Sequence, residues 1–324
     1  MRKVFASLLV VFLLLLLPCR LHADEPVRMC RPNTMVSALL HVAEQQGYLR
    51  QENLTVQFTE TTNAKISNDA LIAGHADAAL AVEGPFVYLS LNGQHPLRIV
   101  AQGGASPEMV VIARKDSGLA TEKDLRGKRV GYLPGTVSYL FLVRLLESLH
   151  MTMDDVKGIP LQPQAMPKAL QGRMIDAFVM AEPWADQGMK ALGDHAVRFR
   201  HPEIYRYPTL LVVTHGFAQQ FPDRLQRLLR ALLKAEEFIK AHPEETIRLM
   251  SEAIKLDEAI LRKNWKDYDF TVGLDDSILT TMREDARYVI RDDPNFAGKA
   301  IPDFSRYIEP KFLREVAPER VRLP

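Results

Sequence analysis

Apolar positions along the chain alternate between short strand-like runs and helix-like stripes. Val27 to Cys30 reads as a strand. Pro32-Asn33-Thr34 then opens a helix whose apolar stripe is Met35, Leu39, Val42 and Ala43, and Gly47 ends it. Leu54 to Phe58 alternates as a half-buried strand does, Asn63 is placed to cap a second helix, and Gly74 closes that helix before the apolar strand Ala78 to Val82. Strands this apolar, with helices between them, predict an α/β fold in which a mainly parallel sheet is covered on both faces.

The pattern then repeats. Laying Ala70-Leu71, Asp77-Ala78 and Glu83 over Ala169-Leu170, Asp176-Ala177 and Glu182 superposes all three without a gap, 99 residues apart. Each copy runs from a helix through a glycine and a polar turn to an apolar strand, then to a glutamate and a proline, Pro85 or Pro183. The interval is that of a domain and exceeds the roughly 20 to 50 residues of a solenoid repeat. Pro107 to Lys115 reads as a strand leaving the first copy, Gly127 to Gly131 opens the second copy's first strand, and Tyr207 to Thr214 reads as the return. The expected organisation is a first lobe of residues 24–112 and 210–324, a second of residues 113–209, and two crossings that form a hinge.

Ahead of the first lobe, Arg2 and Lys3 precede an apolar run from Val4 to Leu17, and Leu21-His22-Ala23 offers a small residue for cleavage. Residues 1–23 therefore read as a secretory signal, too short for a bilayer span of about 20 apolar residues. Pro18 precedes Cys19 where a lipoprotein signal has a small residue. Cleavage removes three of the 41 basic residues and leaves 40 acidic ones, a net charge of about −2 that gives no reason to expect nucleic acid. Cys30 is left without a cysteine to pair with, so stability has to come from burial.

In an open parallel sheet, ligands bind beyond the carboxyl ends of strands, which directs attention to Arg31 to Thr34, Glu83 to Phe86, Pro134 to Ser138, and Glu182 to Trp184. Thr136 and Ser138 stand at the start of an apolar helix, where free backbone N–H groups suit an anionic or carbonyl group, and where Thr136 can equally be a plain cap. Glu83 and Glu182 end apolar strands. A buried carboxylate needs donors there, either N–H groups of a ligand or the backbone of its own loop. Trp184 and Tyr207 offer faces for stacking. Gly127, Gly131 and Gly135 match neither the dinucleotide fingerprint nor the P-loop, and the chain has no His-Glu-x-x-His, Cys-x-x-Cys or Gly-x-Ser-x-Gly pattern. The expectation is no metal, no cofactor and no catalytic residue.

Several segments together resemble a known family, the solute-binding proteins for nitrate, taurine, alkanesulfonates and thiamine-pyrimidine precursors. They are Ala43 to Tyr48, Ala70 to Asp77, Lys115 to Gly118, Asp124 to Gly131, Pro134 to Thr136, Ile175 to Ala177 and Glu182 to Trp184. The resemblance implies a two-lobed periplasmic binding fold with a double crossover (type II), closing on a small molecule and delivering it to an ABC permease in the cytoplasmic membrane, as a periplasmic monomer. It implies ligand contacts from Asn33, Thr34, Glu83, Pro85, Thr136, Ser138, Glu182, Trp184 and Tyr207. Pro32-Asn33-Thr34 looks like the start of the pyrimidine-precursor binders, and only Thr136 and Ser138 stand where sulfonate binders show a serine-rich stretch. Two alternatives share the fold: a pyrimidine-precursor synthase-like enzyme, whose cysteine-rich motif this chain lacks, and a ligand sensor that docks on a receptor.

Overall fold

The computed structural model describes residues 25–323; the expected signal peptide, residues 1–23, lies outside the described residues. The chain starts a first sheet with β1 (Val27–Pro32), β2 (Val56–Thr61), β3 (Ala78–Val82) and β4 (Leu97–Ser106). It then leaves for a second sheet made of β5 (Val110–Arg114), β6 (Arg129–Tyr132), β7 (Lys157–Pro160), β8 (Ala177–Met180) and β9 (Ala196–Arg200). It returns as β10 (Tyr207–Thr214) and completes the first sheet with β11 (Val272–Asp275) and β12 (Val321–Arg322). The spatial orders are β12-β11-β4-β10-β3-β1-β2 and β7-β6-β8-β5-β9.

Each sheet is parallel on one wing, where β1 lies between β2 and β3 and β6 lies between β7 and β8. It is antiparallel where the crossing chain enters: β10 runs against β3 and β4, and β5 runs against β8 and β9. The expectation of a mainly parallel sheet thus holds for the wings alone. Strand–helix–strand units keep one strand direction, whereas a strand that carries the chain between lobes meets them from the other side.

Helices fill the gaps: α1 (Ala38–Gln45), α2 (Ala64–Ile72), α3 (Glu83–Asn92), α4 (Val137–Ser148), α5 (Trp184–Leu192), α6 (Pro222–Ala241) and α7 (Ser277–Asp292) are those that matter below. β3 is buried along its whole length because helices cover both of its faces. α4 is buried from Val137 to Leu146, as its all-round apolar sequence requires of a helix held between two lobes. One core cluster runs from the first sheet through α4 to one face of the second, and a separate cluster of Val110, Ile112, Met166, Leu170, Ile175 and Phe178 fills the other face. Cys30 is a free, buried thiol in β1. Among the described residues no helix is long and apolar enough to cross a membrane.

The internal repeat has a physical counterpart. Asp77 Oδ2 accepts from the backbone N and Nε of Arg28 at 3.0 and 3.1 Å, and Oδ1 accepts from Nη2 at 2.6 Å. Asp176 Oδ2 accepts from the backbone N and Nε of Arg129 at 2.9 and 3.1 Å, and Oδ1 from Nη2 at 2.8 Å. In both lobes one aspartate, just ahead of β3 or β8, clamps an arginine on β1 or β6, the middle strand of the parallel wing, a two-pronged contact whose planar geometry admits little slippage in register.

Candidate functional site

The carboxyl ends of β1, β2 and β3 face those of β6 and β8 across a narrow cleft. After three of these strands a polar side chain turns the chain into a helix. Thr34 Oγ1 accepts from Val36 N at 3.4 Å, Asn63 Oδ1 from Ile66 N at 3.2 Å, and Thr136 Oγ1 from Ser138 N at 3.2 Å. These caps satisfy one orphan N–H each and bring hydroxyl and amide groups to the rim. Between them the walls are apolar, formed by Val82 and Pro85 from the first lobe and Leu133, Val137 and Met180 from the second. The floor is the crossover itself, with Glu108 and Met109 on the outgoing chain and Tyr207 on the returning one.

Of the residues expected from sequence, Thr34, Pro85, Thr136 and Tyr207 line the cleft; Asn33, Glu83, Ser138, Glu182 and Trp184 are outside its lining. Asn33 extends the β1–β2 pairing, donating its N–H to Thr61 O at 2.8 Å. Ser138 is fully buried and ties strand ends together, accepting from Leu133 N at 3.1 Å and donating to Val179 O at 2.8 Å. Trp184 packs on the second lobe's separate core cluster. Glu182 pairs with Arg198 and accepts from Asp186 N at 2.8 Å, so its own helix supplies the donor. Burial raises its carboxyl above the ordinary value, against the pull of Arg198.

Glu83 is fully buried and receives the Tyr205 hydroxyl. That hydroxyl also lies 3.1 Å from Asp285 on α7, and Asp285 pairs with Arg144 of α4 at 2.7 Å. Burial, and the nearby Asp285 charge, push Glu83 well above the carboxylate range; burial brings Asp285 to about 6 while Arg144 pulls it down. The Arg144 guanidinium is sandwiched 4.3 Å from the rings of Tyr205 and Tyr288. Beside it, Glu147 of α4 accepts from Tyr288 at 2.5 Å and from Arg291 at 3.0 Å. This cluster joins the lobes beside the cleft and does not face into it.

Sequence reasoning missed Glu108. Its Oε2 accepts the Tyr207 hydroxyl at 3.1 Å, while Oε1 is shielded from solvent and has no hydrogen-bond partner. Burial raises the carboxyl to about 7; the Tyr207 bond opposes the rise and Glu182 adds to it. The available signal was a charged residue opening an apolar strand, in a segment read as a hinge alone. Lys65 also lines the rim, half-exposed and paired with Asp69 at 2.7 Å. Among the described residues no group of three or more His, Cys, Asp or Glu side chains could hold a metal ion.

Comparison with known proteins gives this geometry a context. A family model described as NMT1/THI5 like matches residues 34–246. A putative aliphatic sulfonates-binding protein of Bacillus subtilis is 24% identical over 259 residues, 78% of this chain and 77% of the relative. A 4-amino-5-hydroxymethyl-2-methylpyrimidine phosphate synthase of Candida albicans is 21% identical over 221 residues, 64% of each chain. The ligand binding component of an ABC-type import system from Staphylococcus aureus has the same fold, with a TM-score of 0.75 at 18% identity over 91% of this chain and 99% of the other. So does the alkanesulfonate-binding protein SsuA from Xanthomonas axonopodis pv. citri, with a TM-score of 0.74 at 17% identity over 88% and 98%.

Proposed function

The chain belongs to the NMT1/THI5-like family, and from that premise we propose that it is the solute-binding component of an ABC importer. It captures a small organic molecule between its two lobes outside the cytoplasmic membrane and presents it, as a monomer, to a permease. The observation that carries the reading is a cleft whose walls come from both lobes and whose floor is the double crossover. A molecule seated there touches both lobes and the hinge, so it stabilises the closed arrangement over the open one and couples capture to shape.

The lobes divide as residues 24–112 with 210–324, and 113–209. Thr34, Pro85, Thr136 and Tyr207 touch the solute directly; Asn33, Glu83, Ser138, Glu182 and Trp184 hold the strand ends and lobe contacts that shape the site. Binding, and not turnover, is the activity. The relative named as a sulfonates-binding protein supports this reading. Export by the signal at residues 1–23 brings the chain to the compartment where an importer's binding component works.

The test is a thermal-shift screen of the mature chain against sulfonates, nitrate, taurine, amines, amidines and pyrimidines, followed by small-angle scattering of any hit. The expected result is a rise in melting temperature together with a smaller radius of gyration. A ligand that is chemically altered during incubation would replace this reading with the enzymatic one.

A further inference from the structure

We propose that the solute carries an N–H donor, as an amine, amidine or amino-heterocycle does, and that Glu108 is the residue that selects it. This rests on the solute-capture reading and names the chemistry of the captured molecule. Glu108 lines the floor of an apolar cleft that both lobes close, and its Oε1 is shielded from solvent and without a partner. A buried polar atom without a partner is costly, and a ligand N–H that reaches it removes that cost. The second oxygen is already taken by the Tyr207 hydroxyl, which fixes the carboxyl's direction and leaves one acceptor for the solute.

The same lining argues against a simple oxyanion. Among the described residues of the lining the one cationic side chain is Lys65, at the rim and paired with Asp69. No arginine offers the two-pronged contact that sulfonate or carboxylate recognition favours. The helix starts at Asn63 and Thr136 border the cleft with one N–H each already capped by a side-chain oxygen, so they offer a solute neutral donors and no full countercharge. An anion without N–H groups would instead meet the Glu108 carboxylate, which is mostly ionised at pH 8, above the value of about 7 to which burial raises it. A dipolar solute is compatible with both ends, its acceptor atoms toward the helix starts and its nitrogen toward Glu108.

Matched probes test this by calorimetry on the mature chain at pH 8: acetamidinium against methanesulfonate, benzamidinium against benzenesulfonate, and taurine against ethanesulfonate. At least one nitrogen-bearing member is expected to bind tenfold or more tightly than its partner. Glu108→Gln is expected to narrow that gap by about ten- to a hundredfold, as loss of a charge-assisted bond does. The wild-type comparison stands alone should Glu108→Gln unfold, which circular dichroism reports. Sulfonates that bind as well as their nitrogen-bearing partners, or a gap unchanged in Glu108→Gln, would overturn the assignment and leave solute capture intact. If no probe binds, solute capture fails and the assignment goes with it.

Discussion

The Tyr207 hydroxyl donates to Glu108 Oε2 at 3.1 Å, and the two residues lie on the two separate passes of the chain between the sheets. The bond therefore joins the outgoing and returning strands where both passes run between the two sheets. It also lowers the proton affinity of a carboxyl that burial has raised. Tyr207→Phe should move the Glu108 titration midpoint above about 7, as followed by carboxyl carbon chemical shifts. It should also cost about 1 kcal/mol of unfolding free energy, the worth of one such bond. A midpoint that stays put would mean the hydroxyl does not reach the carboxylate in solution.

Arg144 is the counter-charge for a pair of buried acids, Asp285 directly and Glu83 through Tyr205. Removing one partner of a buried ion pair leaves the other charge uncompensated, at a cost of about 3–5 kcal/mol. Arg144→Met should lose an amount of that order in urea denaturation, and Arg144→Met combined with Asp285→Asn should recover part of it. Equal losses in the single and double variants would show that packing of the guanidinium between Tyr205 and Tyr288 matters more than its charge.

What the sequence made legible follows from how local each feature is. Asn63, Gly74, Thr136 and the strand Ala78–Val82 act within a few residues of themselves, and all sit where the periodic pattern put them. The Asp77 and Asp176 echo was readable because one short-range motif occurs twice; the arginines they clamp lie 49 and 47 residues away and escaped notice. Glu83 and Glu182 were correctly placed at strand ends, yet a side chain's direction at a helix start depends on what packs against it, and Tyr205, Asp285 and Arg198 come from distant elements. Glu108 became a cleft residue only because Tyr207 pairs opposite Ser106 across β4 and β10, a register that chain order does not reveal.

His95 stacks on Tyr307 at 4.2 Å and meets Ser90 Oγ at 3.0 Å. Burial, helped by the Arg98 charge, lowers its proton affinity to about 4 from 6.5. The folded ring stays neutral while the unfolded one takes up a proton, so its contribution to stability is complete above about 6.5 and is lost as pH falls toward 4. Relative to His95→Gln, the wild type should therefore lose unfolding free energy between pH 7 and 4.5, whatever the absolute difference at pH 7. A difference independent of pH would place the ring in water.

Gly84 offers a way to separate lobe closure from fold stability. It lies in the first turn of α3, and a Cβ added there would stand 3.0 Å from both Val137 Cγ1 and Val137 N and 3.1 Å from Leu140 Cδ1, all on α4. The backbone nitrogen cannot swing aside as a side chain can, so relief has to come from moving α4, and with it the second lobe, by a few tenths of an ångström. An arrangement with the lobes swung apart would separate α3 from α4 and relieve that contact. Gly84→Ala should therefore weaken capture of any ligand found in the screen, and Gly84→Val should weaken it more. Both should leave the ligand-free melting temperature within a few degrees of wild type, since alanine and valine are tolerated at a helical φ. Small-angle scattering should show less compaction on ligand addition in the same order. Unchanged affinity in Gly84→Val would mean that α3 and α4 need not approach this closely for the solute to be held.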